Sequence, residues 1–272
     1  MDTESLPLHI PDPGPNFTAV LRAIAPHLLP MPAMNAAPGI DHPHGTTVVA
    51  IRFADGVVMA GDRRATAGYS IASRRMDKVM PADDWSGVAI AGSAGLAMEM
   101  VKLFQVNLEH YEKIEGEPLS LEGKANQLAG LVRANLPAAM QGFVVVPLFA
   151  GYDHRRNQGR VFSYDAAGGK YEEFDFQANG SGSVHARNWI KAGWRDGLSK
   201  DDAVGLAIRS LFAAADEDAA TGGPDLVRHI YPSVAVITGD GYLAMEDADV
   251  AQRSQALLGG PERGGNEGGA SA

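Results

Sequence analysis

One stretch of this chain constrains its fold more than any other, because it has the pattern of a β-hairpin that begins abruptly. An apolar run from Thr46 to Phe53 is followed by Asp55-Gly56 and by a second apolar run that ends at Asp62. Asp-Gly supplies the positive φ angles that a tight hairpin requires, so the pattern predicts two antiparallel strands. The second strand would bring Asp62 back towards Thr46.

Thr46 is a candidate nucleophile if the chain is cut between Gly45 and Thr46. The cut would give Thr46 a free α-amine beside its own hydroxyl, which places a nucleophile and a general base on one residue. An α-amine has an unperturbed pKa of about 8, so it can accept a proton near neutral pH. An uncut Thr46 would be an ordinary strand residue, since threonine is common in strands.

A lysine follows the hairpin at a matching distance. Lys78 precedes another short apolar run, and Thr46, Asp62 and Lys78 are evenly spaced, each about one hairpin apart. We expect successive strands of one sheet to bring the three together. A carboxylate keeps a buried lysine charged, and the lysine lowers the pKa of a neighbouring hydroxyl or amine. The alternative is a structural ion pair between Asp62 and Lys78.

The segment before the hairpin does not have the pattern of a folded core. Residues 1–45 hold nine of the 16 prolines, and proline disfavours helix interiors and central strands. Only residues 17–25 have a pattern compatible with a short helix. We expect residues 1–45 to be a propeptide that shields Thr46. The alternative is a disordered tail that is never removed.

Composition excludes several classes of protein. A hydrophobic share of 45% suits a globular core, and no apolar run approaches the roughly 18 residues that span a membrane. Cysteine is absent, which excludes disulfides and thiolate metal sites. The net charge of -10 argues against a general nucleic-acid binder. We expect a protein that binds neither nucleic acid nor membrane, and the absence of disulfides is compatible with the cytoplasmic location that we expect.

The rest of the chain alternates between strand and helix patterns. The predicted strands are 87–91, 143–151, 159–164, 170–176, 233–238 and 241–245, and the predicted helices are 94–114, 121–136, 184–192 and 200–215. Pro147 is unusual inside a strand. Two facing sheets with a pair of helices on each outer side would accommodate all of these elements, which predicts an α+β fold.

Three motifs together resemble a known family. Thr-Thr-x-Val-Ala at Thr46, Gly-Val-Val-Met-Ala-Gly-Asp-Arg-Arg at Gly56, and then Lys78 resemble the start of a mature proteasome β-subunit, most closely the actinobacterial 20S type. The resemblance extends from Thr46 to about Leu257. It implies the four-layer αββα sandwich of the N-terminal-nucleophile hydrolases. It also implies a propeptide at 1–45, a catalytic domain at 46–257 and a flexible tail at 258–272.

The resemblance implies a role for each matching residue. Thr46 would be the nucleophile, freed by autocleavage at the Gly45–Thr46 bond, and Asp62 and Lys78 would support it. The N–H of Gly92, in the loop Ala91 to Gly95, would form the oxyanion hole. The remaining members of the implied site are Ser181, Asp218 and Thr221.

Several of these positions have simpler interpretations. The loop Ala91 to Gly95 has the pattern of a strand-to-helix turn, and Ser181 and Thr221 have the chemistry of helix caps. Ser183 fits a cap better than a catalytic role. The family usually has serine where this chain has Thr221, a change that keeps the hydroxyl and adds a methyl group.

The residues of the substrate pocket are inferred only from the resemblance. Matching positions surround the side chain that precedes the cut bond: Ala65, Met76, Met80, Ile90, Ala94 and Met98. Thr66 and Gly92 would contact the substrate backbone if the peptide lies as an added strand. Methionine adapts to varied partners, so the pocket would be roomy and apolar and would favour cleavage after hydrophobic residues. The alternative is that these methionines belong to the core.

The implied activity is that of a threonine-type endopeptidase without a metal or cofactor. The family encloses such sites in a barrel, so the implied partners are proteasome α-subunits and other β-subunits in heptameric rings stacked as α7β7β7α7. A regulatory ATPase ring would deliver unfolded proteins, tagged by a small ubiquitin-like protein (Pup). Three alternatives stay open: an HslV-like peptidase subunit, an amide hydrolase of the same fold acting on small molecules, and a non-catalytic structural subunit.

Overall fold

The computed structural model describes residues 45–258, which form twelve strands and six helices. The strands are β1 (Thr47–Phe53), β2 (Gly56–Gly61), β3 (Ala65–Ala67), β4 (Ser70–Ser73), β5 (Val79–Asp83), β6 (Ser86–Gly92), β7 (Val145–Asp153), β8 (Gln158–Tyr164), β9 (Lys170–Glu173), β10 (Phe176–Gly180), β11 (Ser233–Thr238) and β12 (Gly241–Ala244). The helices are α1 (Ala94–Glu115), α2 (Leu121–Ala134), α3 (Leu136–Ala139), α4 (Ser183–Gly193), α5 (Lys200–Glu217) and α6 (Asp247–Leu258). The fold is α+β, as the sequence predicts.

Two five-stranded antiparallel sheets carry the fold. The first sheet has the order β10-β1-β2-β11-β12, and the second has the order β5-β6-β7-β8-β9. The short β3–β4 hairpin stands apart and carries the chain from the first sheet to the second. Residues of either sheet can therefore lie beside Thr46.

The predicted hairpin is confirmed. β1 and β2 pair with Val48 opposite Gly61 and with Phe53 opposite Gly56, on either side of the Asp55 turn. Asp62 follows directly and donates its N–H to the carbonyl of Thr47 over 3.1 Å. The hairpin thus places Asp62 beside the start of β1, as its sequence requires.

Buried apolar residues form three clusters. One joins the first sheet to α4, α5 and α6, a second joins the second sheet to α1 and α2, and a third contains residues of both sheets, among them Met59 and Leu148. Burying a side chain of this size contributes about 1.5–3 kcal/mol. The two sheets are therefore held face to face by apolar contacts.

Helix α1 illustrates how the sequence produces these layers. Ala97, Val101, Phe104 and Leu108 follow one another at helical spacing, and all four are buried against the second sheet. The helix ends at Gly116, which has the left-handed φ of 76° that favours glycine at this position.

One part of the predicted architecture is wrong. The predicted strand 170–176 is divided: β9 ends at Glu173 in the second sheet, and Phe176 begins β10 in the first sheet. An apolar pattern does not record a change of sheet. The residues before the predicted tail form a helix, α6, that the sequence patterns did not predict, and its last residue is Leu258. The predicted helix 17–25 and residues 259–272 of the tail lie outside the described residues.

Pro147 lies inside β7, and the ladder explains how it is tolerated. Ile90 lies opposite Pro147 and donates its own N–H to Lys78 on its other side, so the Ile90–Pro147 pair exchanges no ladder hydrogen bond. On the other side of β7, the pairing with β8 begins only at Leu148. The missing N–H of proline therefore interrupts neither ladder.

None of the helices within residues 45–258 has the length and apolar character that crossing a membrane requires.

Candidate active site

Thr46 is buried, directly before β1, and still joined to Gly45. Its Oγ1 donates to the carbonyl oxygen of Gly45 over 2.6 Å, and its amide N–H points to the Oγ of Ser181 at 3.5 Å. The N–H of Ser181 donates back to the carbonyl of Thr46 over 2.8 Å. The end of β10 therefore holds the residue that carries the candidate nucleophile.

Asp62 is fully buried, and four donors compensate for its burial. Its Oδ1 accepts from the N–H of Thr47 and from Nζ of Lys78, both at 2.7 Å. Its Oδ2 accepts from the N–H groups of Arg64 at 2.9 Å and Gly222 at 2.8 Å. The carboxylate thus links the start of β1 to the lysine and to the loop after α5.

Lys78 is 1% exposed, and its ammonium has three acceptors for its three protons. Nζ donates to Asp62 over 2.7 Å, to the carbonyl of Arg64 over 2.6 Å and to the carbonyl of Gly45 over 3.2 Å. The lysine and the hydroxyl of Thr46 therefore donate to the same oxygen, that of Gly45.

Burial has a chemical consequence for Lys78. Burial lowers the pKa of the Lys78 ammonium below its ordinary value, and the neighbouring Asp62 carboxylate opposes this effect without cancelling it. A lysine with a lowered pKa gives up a proton more readily than an exposed one, and while charged it stabilises negative charge on the oxygen that it faces.

The structure brings Thr46, Asp62 and Lys78 together, but not through one sheet. Thr46 and Asp62 flank strands of the first sheet, whereas Lys78 directly precedes β5 in the second sheet. The expectation of successive strands in a single sheet is wrong, because even spacing along the chain does not distinguish a neighbouring strand from a facing one. The site lies where the two sheets face each other.

A second group of hydrogen bonds surrounds Asp218, at the end of α5. Its Oδ2 accepts from the hydroxyls of Ser181 at 2.5 Å and Thr221 at 2.6 Å. The Oγ1 of Thr221 also lies 2.6 Å from the Oγ1 of Thr47, which accepts from the N–H of Gly182 over 3.1 Å. These contacts connect Asp218 to the strand that Thr46 precedes.

Asp218 is held in its ionised form. Burial is the largest single influence on its pKa and would raise it, but hydrogen bonds from Ser181, Thr221 and the N–H of Ala220 together outweigh burial. The pKa of Asp218 therefore lies below its ordinary value. The proposal that Ser181 and Thr221 are helix caps is wrong for this structure, since both hydroxyls bond to Asp218. Ser183 is no cap either, because the N-cap of α4 is Gly182.

Gly45 occupies a position that has no room for a side chain. A Cβ there would lie 2.6 Å from both the carbonyl oxygen of Ala220 and the Oγ1 of Thr66. The residue before Thr46 must therefore be glycine for its carbonyl to face Lys78 as it does.

Gly92 ends β6 with a φ of +102°, and a Cβ there would lie 2.1 Å from the carbonyl oxygen of Val144. The N–H of Ile90 donates to the carbonyl of Lys78 over 2.9 Å, and in a strand the N–H two residues later faces the same edge. Gly92 thus lies at the edge that holds Lys78. Gly92 also lies in the turn between β6 and α1, so its position suits both the oxyanion hole and the simple strand-to-helix turn.

The predicted pocket residues lie on several elements around the second sheet. Ala65 and Thr66 are in β3, Met80 is in β5, and Ala94 and Met98 are in the first two turns of α1. Met76, Met80 and Met98 are partly buried against the cluster that contains Ile90. These methionines contribute to core packing, which is the alternative that the sequence left open.

The sequence interpretation missed residues that act through the backbone. Arg64 gives its N–H to Asp62 and its carbonyl to Lys78, and Gly222 gives its N–H to Asp62. Thr47 contributes both its N–H and its hydroxyl. Of these residues, only Thr47 could have been recognised from the sequence, because it is the second of two adjacent threonines. Within residues 45–258, no group of three or more histidines and acids is arranged to hold a metal ion.

Comparisons with known proteins give a consistent result. A family model described as proteasome subunit matches residues 42–230. The chain is 57% identical over 246 residues to the proteasome subunit beta of Acidimicrobium ferrooxidans, with 90% of each chain covered. It is 51% identical over 261 residues to that of Streptomyces griseus, covering 94% of this chain and 92% of the relative. It is also 51% identical over 267 residues to that of Frankia casuarinae, covering 97% and 96%.

Proposed function

The chain belongs to the proteasome subunit family, and from this premise we propose that it is a catalytic β subunit of a proteasome core particle. In this role it is a threonine-type endopeptidase, and Thr46 is its nucleophile. One observation supports the proposal most directly: Lys78 lies 2.7 Å from Asp62 and 3.2 Å from the carbonyl oxygen that Thr46 also faces.

The first reaction is the cut that produces the nucleophile. The hydroxyl oxygen of Thr46 attacks the carbonyl carbon of Gly45, and the carbonyl electrons move onto the oxygen that faces the Lys78 ammonium. The bond to the nitrogen of Thr46 then breaks, and this nitrogen takes the proton of the hydroxyl, directly or through water. Water hydrolyses the resulting ester, which releases the propeptide 1–45 and leaves a free amine.

The mature site then acts on peptide substrates by the same chemistry. The amine of Thr46 accepts the hydroxyl proton as Oγ1 attacks the substrate carbonyl, and the N–H of Gly92 stabilises the oxyanion. The leaving amine takes the proton, and water hydrolyses the acyl-enzyme ester. Lys78, held by Asp62, stabilises the charge, while Ser181, Asp218 and Thr221 orient the amine.

The substrate would lie along β3 and the start of α1. Thr66 and Gly92 contact its backbone, and its apolar side chain enters the space lined by Ala65, Met76, Met80, Ile90, Ala94 and Met98. The partial exposure of the three methionines supports a pocket with an adaptable wall. The enzyme would then cut the peptide bond that follows a hydrophobic residue of the substrate.

The architecture and partners form part of the same proposal. The three apolar clusters support a four-layer αββα sandwich of the N-terminal-nucleophile hydrolase type. The particle is an α7β7β7α7 barrel of α-subunits and heptameric β rings in the cytoplasm. A regulatory ATPase ring delivers substrates that carry the ubiquitin-like tag Pup. The catalytic domain is 46–257, followed by a tail.

Intact mass of the chain, purified after co-expression with its α partner, tests the proposal. We expect a chain that begins at Thr46, whereas the Thr46→Ala variant should keep residues 1–45 and show no peptidase activity. Thr238→Ala is the matched control, because Thr238 lies at the opposite end of the first sheet, beside the hairpin turn. An assembled particle that still carries residues 1–45 would instead indicate a structural subunit.

A further inference from the structure

Thr47 is the residue at which the two hydrogen-bond groups of the site meet. It is fully buried, and its N–H donates to the Oδ1 of Asp62 over 2.7 Å. Its Oγ1 lies 2.6 Å from the Oγ1 of Thr221 and accepts from the N–H of Gly182 over 3.1 Å. The same residue therefore bonds to the acid that holds Lys78 and to the hydroxyl that bonds to Asp218.

The chemistry of the groups fixes the direction of these hydrogen bonds. An ionised carboxylate only accepts, so Thr221 gives its single proton to Asp218 over 2.6 Å. The oxygen of Thr221 then accepts, and Thr47 supplies the proton. The opposite direction would remove the charge-assisted bond to Asp218, which is about twice as strong as a neutral one. The chain of donors thus runs from Gly182 through Thr47 and Thr221 to Asp218.

The ionised Asp218 also determines what Ser181 offers to Thr46. The Oγ of Ser181 lies 2.5 Å from the Oδ2 of Asp218 and 3.3 Å from the carbonyl oxygen of Thr46, and it gives its single proton to the shorter, charge-assisted contact with Asp218. Its oxygen is therefore an acceptor for the nitrogen of Thr46, which lies 3.5 Å away. A freed amine that donates one N–H to Ser181 keeps its lone pair available for the proton of its own hydroxyl.

We propose that the hydroxyl of Thr47 is a positioning group for this reaction. It supplies the proton that directs Thr221 towards Asp218, and the bond from the N–H of Gly182 holds the Thr47 hydroxyl in the orientation that this requires. Thr47 touches no reacting atom and acts through Thr221. The proposal rests on the proposed function, since it assigns Thr47 a part in the same threonine chemistry.

Two substitutions separate the hydroxyl from the packing of the side chain. Thr47→Val keeps the shape and loses the hydroxyl, whereas Thr47→Ser keeps the hydroxyl and loses a methyl group. Both are compared with wild type in the assembled particle, using a fluorogenic peptide cut after leucine. We expect Thr47→Val to lower kcat about tenfold, with KM nearly unchanged. A tenfold change in rate corresponds to the free energy of about one buried hydrogen bond. Thr47→Ser should restore kcat to within about twofold.

A double-mutant cycle with Thr221→Val tests the connection itself, including the case in which one variant assembles poorly. If Thr47 acts through Thr221, the double variant should be no slower than Thr221→Val alone, because the second change removes a bond that is already broken. If the fold reductions in kcat of the two single variants instead multiply in the double variant, Thr47 does not act through Thr221. Thr238→Val, at the far end of the sheet, should leave kcat unchanged.

The outcomes distinguish this proposal from the one on which it rests. If wild type is neither cut at Thr46 nor active, the proposed function fails, and the role of Thr47 fails with it. If wild type is cut and active but Thr47→Val has the wild-type kcat, only the role of Thr47 is overturned. If Thr47→Val is active and Thr47→Ser is impaired, packing explains the residue and the proposal is wrong.

Discussion

At the scale of single residues, backbone groups contribute as much to the site as side chains. Three of the four donors to Asp62 are N–H groups, from Thr47, Arg64 and Gly222. Any residue except proline supplies such a donor, so the identities of Arg64 and Gly222 gave no indication of their part in the site. Side-chain chemistry, by contrast, pointed directly to Thr46, Asp62 and Lys78.

Gly45 provides a prediction at this scale. Gly45→Ala should slow the proposed cut at Thr46 by about a hundredfold, because its Cβ would displace the Gly45 carbonyl from Lys78, and a misplacement of about 1 Å has an effect of this size. A time course of intact mass measures the rate. Gly130→Ala is the matched control, since a Cβ at Gly130 meets nothing within 4 Å. Equal rates for both variants would show that the fit around Gly45 is unimportant.

At the scale of elements, the sequence predicts what is local and misses what depends on the partner. The hairpin at Asp55-Gly56 and helix α1 follow from turn chemistry and from apolar spacing within one segment. The change of sheet between Glu173 and Phe176 does not, because both strands have similar apolar patterns and only tertiary packing decides where each one pairs. The prediction that Lys78 shares a sheet with Thr46 is wrong for the same reason.

The second sheet contains an ion cluster that was also absent from the sequence interpretation. Arg160 of β8 is 3% exposed and donates to Glu172 of β9, Asp153 of β7 and Glu122 of α2. Its contacts cross three strands and a helix, so no short motif indicates them. Hydrogen bonding by Arg160 holds the pKa of Glu172 below its ordinary value, and hydrogen bonding by Lys170, followed by Arg160, does the same for Glu122.

Removing this arginine should destabilise the protein in a pH-dependent way. Arg160→Met should lower the free energy of unfolding by about 3 kcal/mol at neutral pH, because the buried Asp153 and the partly buried Glu172 lose their cationic partner. A lowered pKa of Glu172 stabilises the fold above about pH 4.3, and this contribution disappears as the pH falls through the folded-state pKa. The difference between wild type and variant should therefore shrink in acid.

Urea unfolding at neutral and acidic pH measures this difference. Arg156→Met is the control, since Arg156 is largely exposed and lies 3.9 Å from Glu172. Its loss should cost less than about 1 kcal/mol at either pH. A cost for Arg160→Met that does not change with pH would mean that its packing, rather than its charge, stabilises the sheet.

At the scale of the whole molecule, the site depends on the contact between the two sheets. Thr46 and Asp62 flank strands of the first sheet, and Lys78 directly precedes β5 of the second. Apolar residues of both sheets form the cluster that contains Leu148, and the side-chain amide of Asn179 in β10 donates to the carbonyl of Pro147 in β7 over 3.2 Å. A change in the distance between the sheets would therefore separate Thr46, the proposed nucleophile, from Lys78.

Two leucines allow this dependence to be separated from stability alone. Leu148 lies between the sheets, whereas Leu198 packs between the first sheet and its helices. The backbone carbonyl of Leu198 accepts from the N–H of Ala54 at the hairpin turn, which lies far from Thr46. Both are buried, so each Leu→Ala change should lower the free energy of unfolding by about 3 kcal/mol. Denaturant unfolding in a Thr46→Ala background, which keeps the chain uncut, measures that cost. Only Leu148→Ala should also slow the cut at Thr46 in chains that are otherwise folded, because its cavity lets the sheets shift. If both variants slow the cut equally, stability governs the reaction and the spacing of the sheets does not.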